Sequence, residues 1–384
     1  NGAAPAAKAA ATTPRAVRLP LLVALLAAAM LPLAVSPVLP LIDFYNHIAR
    51  LVVLAGVDNS PALAANYAPA WAVLPNIGLD VVGVALLQVV PVSLLPHLVA
   101  ALILLLLFAG TAALNRAITG QTSWPPLLLT IPLLYSWILN WGFANFLGGM
   151  GLALLAAAWW LARRDQPVLR LGVALLLAVA IFFCHALAFG LYGVLIGALE
   201  IGHWRVQPGR HRADLATRLG MCAVQAVLPA LLFLQSRTVM AAGGITNADE
   251  SLARLRTQGA LFDRLRELGL QRLEAIVRVA EGPSYPADAL WLAVLCAVLL
   301  LAARRRALAF SALAVPAVVA AALLVVVMPP ALFGSGYVAD RMPLFLALVL
   351  VAGLMPGPSA GSGRAPWLVP ALAGLVAVRL VSLA

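Results

Sequence analysis

The chain has 384 residues, 64% hydrophobic and only 10% charged, with 25 basic against 14 acidic side chains and a formal charge of +11. With a mean hydropathy of +1.01, it cannot be a water-soluble domain, and it reads as an all-α, multi-spanning membrane protein. The positive charge does not point to nucleic acid: the arginines fall in short stretches between apolar runs, where the positive-inside rule and lipid phosphate account for them.

Residues 1–18 form an Ala-rich tail with Lys8, Arg15 and Arg18, expected to be disordered and cytoplasmic, and 19–384 are expected to form one transmembrane domain. The apolar run from Leu19 to Leu41 is a full bilayer wide and too long for a signal-peptide core, so it is read as the first span. Directly after it come Asp43, Asn46, His47 and Arg50. Their helical spacing puts a carboxylate, a carboxamide, an imidazole and a guanidinium on one face. Such groups at a membrane boundary cost energy unless paired or used, which makes them a candidate site. The structural alternative is an Asp43–Arg50 ion pair that anchors the loop.

Residues 42–95 are expected to form a long outer loop. Within it, Gly78 to Leu95 is apolar enough for a short span, although Asp80, Gln88 and Pro91 favour a re-entrant or interfacial piece. The following spans are Pro96–Leu114, Pro125–Leu139, Phe146–Leu161, Leu171–Cys184, Ala186–Glu200 and Leu219–Leu234. The last four are Ala289–Ala302, Leu308–Val327, Pro343–Leu354 and Trp367–Val381, eleven in all. The cytoplasmic ends then collect Arg116, Arg163, Arg164, Arg170, the stretch His203 to Arg218, Arg304 to Arg306, and Arg364. Leu171 to Glu200 also reads as one tilted helix, since only His185 and nearby glycines mark a turn; that change would invert everything downstream.

With this parity the unusual polar residues gather outside. They are Asp43, His47, Arg50, Asp58, Asn76 and Asp80 of the first loop, the hairpin Asn140 to Asn145, His185, the loop 236–288, and the connection Gly334 to Arg341. One chamber facing the periplasm would use them all. Asn46, His47, Arg50, Asp80, Asn140, Asn145, His185, Tyr337, Asp340 and Arg341 are therefore candidate substrate or phosphate ligands. Each has a structural alternative: Asn140 and Asn145 as caps of the hairpin's own helices, His185 as a packing residue, Asp340–Arg341 as a local salt bridge. Gly148, Gly149 and Gly151 need only helix packing to explain them.

In the long loop, Leu261, Phe262, Leu265, Leu268, Leu273, Ile276 and Val277 fall mainly on one side of a helix. Arg264, Arg266, Arg272 and Arg278 alternate with Asp263, Glu267 and Glu274 on the other side. Such a helix lies in the interface and could position or cover a lipid-linked substrate; the plainer alternative is a solvated cap on the bundle. Cys184, Cys222 and Cys296 lack metal-ligand spacing and suggest neither disulfides nor zinc. An exosortase-like Cys184–His185 pair is set aside, because helix neighbours point about 100° apart.

A first span, an acidic residue directly after it, a long first outer loop with amphipathic helices, and many further spans: this order resembles the GT-C glycosyltransferases. That superfamily includes the protein O-mannosyltransferases, the aminoarabinose transferases of lipid A and the oligosaccharyltransferases. The resemblance implies an all-helical bundle, a sugar donor on polyprenyl phosphate or diphosphate, and a catalytic acid in the first outer loop, which here matches Asp43. The short spans around His185 are also similar to a hairpin of short helices in those enzymes.

The chemistry follows from the residues as well. Glycosyl transfer from a phospholipid needs a base for the acceptor and positive charge on the leaving phosphate. Asp43 supplies the first, Arg50 and Arg341 supply bidentate forks for the second, and His47 shares the phosphate or tunes Asp43. No cofactor is expected; a divalent cation on Asp43 and His47 stays open, with no second carboxylate close in sequence to support it. The runner-up is a lipid or polysaccharide transporter, disfavoured by the lack of an internal repeat. An O-antigen-type ligase would instead rest on Arg254 to Arg278. No nucleotide-binding loop appears, so the expected partners are a polyprenyl-linked donor and membrane lipids.

Overall fold

The computed structural model describes residues 17–209, 211–236, 261–332, 335–361 and 365–384, with side chains of 261–265 and 361 outside the description. The chain is a helical bundle with one two-stranded ribbon. Six helices are long and apolar enough to cross a membrane: α6 (Leu95–Thr119), α9 (Ala144–Ala162), α10 (Pro167–Cys184), α11 (Ala186–Val206), α12 (Arg212–Gln235) and α14 (Tyr285–Arg304). Shorter apolar helices complete it: α1 (Leu19–Ala29), α2 (Leu31–Val35), α7 (Trp124–Leu134), α15 (Val315–Val327), α16 (Val338–Gly353) and α18 (Leu368–Leu383). The small elements are α3 (Phe44–Gly56), α4 (Pro61–Asn66), α5 (Gly78–Leu86), α8 (Trp137–Asn140), α13 (Leu261–Val277) and α17 (Pro358–Gly361).

Local chemistry sets the boundaries. Helix α6 starts with Pro96 in its first turn and stops at Gly120, whose φ of 74° no β-carbon opposes and whose N–H caps Arg116 O. The run expected as one span from Leu19 to Leu41 is instead broken at Met30, and α2 ends at Val35; Pro32, Pro37 and Pro40 each lack an N–H for continuing a helix. Helix α5 has nine residues, about 14 Å at 1.5 Å per residue, less than half a bilayer. The helix within Gly78 to Leu95 is thus too short to cross a bilayer. Leu171 to Glu200 is two helices, because His185 is extended (φ −166°, ψ 126°) and its Nδ1 accepts the Leu187 N–H as an N-cap. Leu308 begins no helix: β1 (Leu308–Phe310) pairs antiparallel with β2 (Leu354–Pro356), trimming two expected spans. The expected Pro125–Leu139 segment breaks after Leu134, at Tyr135 and Ser136.

The bundle is packed around α9 and α6. A β-carbon on Gly110 would lie 2.6 Å from Gly151 O, and one on Gly151 2.8 Å from Leu106 Cγ, so small residues set that approach. Gly149 does the same against Ala188 and Cys184, whereas Gly148 meets nothing closer than 4.0 Å.

The two ends of the bundle differ in chemistry. At one end fully buried Glu200 accepts from Trp160 Nε1 (2.7 Å), Arg164 Nη2 (3.0 Å) and Arg170 Nη2 (2.5 Å) through Oε1, and from Arg218 Nη1 (3.4 Å) through Oε2. The same end holds the ribbon and the bonds from Asn115 Nδ2 to Ala352 O and Leu354 O. The other end holds α3 to α5, the hairpin after α8, His185 and α13. There Arg379, lone in its apolar run and unnoticed in the sequence, is buried against Asp288 and donates to Ala280 O (2.6 Å). It ties α18 to the segment ahead of α14. Each of these bonds joins segments that simple up-and-down alternation places at the same end.

Candidate functional site

The site begins where the hairpin clamps the start of α3. Ile42 N–H donates to Asn140 O (2.8 Å) and Asp43 N–H to Trp141 O (3.0 Å). Gly142 is required between them: its φ is 80°, and a β-carbon there would stand 2.5 Å from Phe44 N. Asp43 therefore projects from a fixed point at the N-terminus of α3, with its side chain 46% exposed. It accepts from Asn46 Nδ2 (2.9 Å) and lies 3.7 Å from His47 Nε2.

His47 Nδ1 faces Arg50 Nη2 at 3.0 Å. Since the guanidinium only donates, Nδ1 carries the lone pair and Nε2 the hydrogen, which points toward Asp43. Burial and the neighbouring Arg50 hold the His47 pKa below its ordinary value, against the pull of Asp43 and Asp80. Arg50 does not pair with Asp43, as the anchoring alternative required, because seven helical positions separate them and His47 stands between. It grips buried Asp80 instead, with Nε at 2.9 Å and Nη2 at 2.7 Å from Oδ1.

The opposite wall is built by Arg341, in the first turn of α16 and 4% exposed. Its Nη1 lies 3.0 Å from His185 Nε2 and its Nη2 donates to Gly336 O (3.1 Å), while Nε has no partner. The guanidinium lies 4.3 Å from the Phe143 ring centre and 5.1 Å from that of Phe146. Among the described residues no carboxylate lies within ion-pair distance of it. The alternative of a local Asp340–Arg341 salt bridge is not realised, since helix neighbours diverge: Asp340 points to Arg278 at 3.7 Å.

His185 explains what this wall is set up to do. Both ring nitrogens face donors, the Leu187 N–H on Nδ1 and Arg341 on Nε2, yet a neutral imidazole has one lone pair. Burial and the Arg341 charge push its pKa down to about 3, so the ring is neutral near pH 7 and has that one lone pair to give. The single lone pair serves one of these donors; in the tautomer that keeps the Leu187 cap, Nε2–H and the Arg341 fork are both donors to one space. A negatively charged oxygen there satisfies both.

Asp43, His47, Asn145, His185, Tyr337 and Arg341 line one cavity of about 250 Å³. Arg50 and Asp80 line a second, of about 400 Å³, so the expected single chamber is two compartments sharing Asn76. Asn46 reaches the site only through Asp43, and Asn140 lies outside both, donating to Glu281 O (3.4 Å). Neither hairpin asparagine caps a helix of its own hairpin. Asn145 Oδ1 instead accepts the Leu79 N–H (2.8 Å), capping α5, and its Nδ2 holds Asn76 O (3.0 Å). No family model, curated protein or solved structure matches the chain. The site's chemistry therefore rests on its own geometry.

Two features escaped the sequence reading. Asn76 (φ 145°) and Tyr337 (φ 56°) occupy left-handed backbone that non-glycine residues avoid, and both line the smaller cavity. The Tyr337 ring packs against Trp141 (4.7 Å between centroids) and Trp137 (5.3 Å), and with Phe143 forms an aromatic wall. The indoles crowding the hairpin were the available signal. Helix α13 also differs from expectation: Arg272 turns inward to Met328 O (2.5 Å), while Leu270 and Leu273 are 56% and 61% exposed, so part of the apolar face points away from the bundle. Arg254 and the side chains of Leu261, Phe262, Asp263, Arg264 and Leu265 lie outside the described residues. Among the described residues no group of three His, Cys, Asp or Glu side chains is placed to hold a metal, and the three cysteines are free.

Proposed function

We propose that the chain is an integral-membrane glycosyltransferase of the bacterial inner membrane that moves a sugar from a polyprenyl phosphate or diphosphate to an acceptor hydroxyl on the extracytoplasmic side. The observation that carries this reading is Arg341, a buried guanidinium without a carboxylate, facing Asp43 across a cavity that also holds His185. A buried unpaired charge is costly, and a transient anion is what repays it. With α1 and α2 taken together as one broken span, the remaining apolar helices bring the spans to eleven, and the arginine-rich end that includes Arg116, Arg163, Arg164 and Arg304 to Arg306 is then cytoplasmic.

In this mechanism the donor phosphate sits on Arg341 and His185 Nε2–H, with the sugar between that wall and Asp43. Asp43 takes the proton of the acceptor hydroxyl as its oxygen attacks the anomeric carbon. The bond from that carbon to the phosphate oxygen breaks, and the electron pair leaves with the phosphate, where Arg341 meets the developing charge. His47 orients the carboxylate through Nε2–H. The exposed apolar side of α13 gives the polyprenyl chain a surface beside the cavity. A divalent cation arriving with a diphosphate would find the Asp43 carboxylate, and His47 could join it only by giving up its contact with Arg50.

The test is transfer of labelled sugar from polyprenyl-phosphate donors in membranes of a host lacking the protein. Asp43→Asn, inserted to the same level as wild type, is expected to lose about 100-fold or more of the turnover. Equal transfer by both would remove Asp43 from the chemistry. If wild type transfers nothing while lipid-linked glycan stops crossing the membrane without it, the chain is a transporter.

A further inference from the structure

The larger cavity remains unused by this mechanism, and its chemistry is specific. On one side stands the Arg50–Asp80 pair. Both contacts from Arg50 go to Asp80 Oδ1, so among the described residues Oδ2 accepts no hydrogen bond, and Arg50 Nη1 donates none. On another side is Trp71, 55% exposed, with Leu74 also in the lining. A free acceptor and a free donor next to each other, beside a flat apolar face, match few ligands. Phosphate is repelled by Asp80, and an acyl chain would strip water from the ion pair without replacing it. A pyranose ring satisfies all three features: one hydroxyl donates to Oδ2, its neighbour accepts from Nη1, and the C–H face covers the indole.

The two cavities are also neighbours. They share Asn76, held in its strained backbone by its N–H to Phe183 O (3.1 Å) and by Asn145 on its carbonyl. Along α3, Asp43 and His47 open on the smaller cavity and Arg50 and Leu54 on the larger. A molecule seated on Trp71 would thus lie beside the same helix that presents Asp43, with Asn76 between the two cavities.

We infer that the 400 Å³ cavity is the acceptor subsite and that the acceptor is a saccharide, bound by Trp71, Asp80 and Arg50. This rests on the glycosyltransferase reading, which it narrows from lipid, glycan or protein to glycan. Because Trp71 is half-exposed in a surface loop, Trp71→Ala leaves the fold intact, and Trp71→Phe restores an aromatic face. The experiment measures binding of a trimannoside and a triglucoside to the purified full chain by saturation-transfer NMR, together with transfer kinetics.

Wild type and Asp43→Asn should bind at least one of the two glycans alike, since Asp43 lines only the other cavity. Trp71→Ala should weaken that binding, and raise the acceptor KM, about tenfold with the donor KM unchanged; Trp71→Phe should recover most of it. If Asp43-dependent transfer is found but neither glycan binds and Trp71→Ala has the wild-type acceptor KM, the saccharide subsite is overturned while the glycosyltransferase reading stands. If glycan binding requires Trp71 but no polyprenyl-linked sugar is ever transferred, the subsite holds and the reaction assigned to Asp43 fails.

Discussion

The two ends of this bundle both bury arginine, and they use it in opposite ways. Around Glu200 three guanidiniums and an indole N–H converge until both carboxylate oxygens are taken. Around Arg341 there is a histidine, a carbonyl and two phenyl faces, but among the described residues no carboxylate within ion-pair distance. In the first arrangement every guanidinium meets a carboxylate, although three cations share one anion and Arg164 Nη1 is left over, and both carboxylate oxygens are spent on holding helices together. The second is incomplete, and incompleteness in a cavity marks a site. What separates a structural arginine from a functional one here is the partner it lacks.

The sharpest way to test that contrast is to remove the carboxylate. Glu200→Gln would leave Arg164, Arg170 and Arg218 facing one another, which should cost about 3–5 kcal/mol. A drop in thermal midpoint in detergent, with turnover per folded molecule unchanged, is the expected result. An unchanged midpoint would mean the arginines find lipid or water as easily. The complementary change, Arg341→Gln, should do the reverse. It removes an uncompensated buried charge, so the midpoint holds or rises, while transfer falls by roughly 100-fold through lost stabilisation of the leaving phosphate. A loss of both together would make Arg341 another structural arginine.

Protonation offers a finer probe of the same wall. The His185 pKa is about 3 in the folded chain against about 6.5 unfolded. The unfolded state therefore binds more protons between those values, and stability falls as pH drops from about 6.5 toward 3. His185→Gln should flatten that part of the stability profile in thermal melts from pH 7 to pH 4.5. A variant with the wild-type slope would assign the acid sensitivity to the carboxylates.

The membrane class, most helices and the gathering of Asp43, His47, Asn145, His185, Tyr337 and Arg341 were legible in the sequence, because charges in an apolar chain are few and alternation sorts them by end. The details that failed were tertiary. The break at His185 between Leu171–Cys184 and Ala186–Glu200 was read in the right place, but its cause, the His185 ring capping a helix, is a role that composition does not announce. Arg50 lies seven positions from Asp43 and thirty from Asp80, and only the packing of α5 beside α3 decides which it meets. The partition into two cavities was invisible for the same reason: Asn145 reaches Asn76 across 69 positions of sequence.

That partition supplies the smallest and most discriminating change. Asn76 sits at φ 145°, where an asparagine side chain is strained, and among the described residues that side chain makes no hydrogen bond of its own. Asn76→Gly should therefore stabilise the fold by roughly 1 kcal/mol through relief of backbone strain. Two causes for the strain give different activities. If the neighbouring contacts to Phe183 and Asn145 merely force the backbone, transfer is unaltered. If the wall between the two compartments must be rigid for an acceptor to meet Asp43 and the donor in register, transfer falls severalfold even as the thermal midpoint rises. Gain of stability with loss of turnover in one variant is the signature of strain kept for function, and a variant that loses stability would show that the asparagine side chain itself supports the wall.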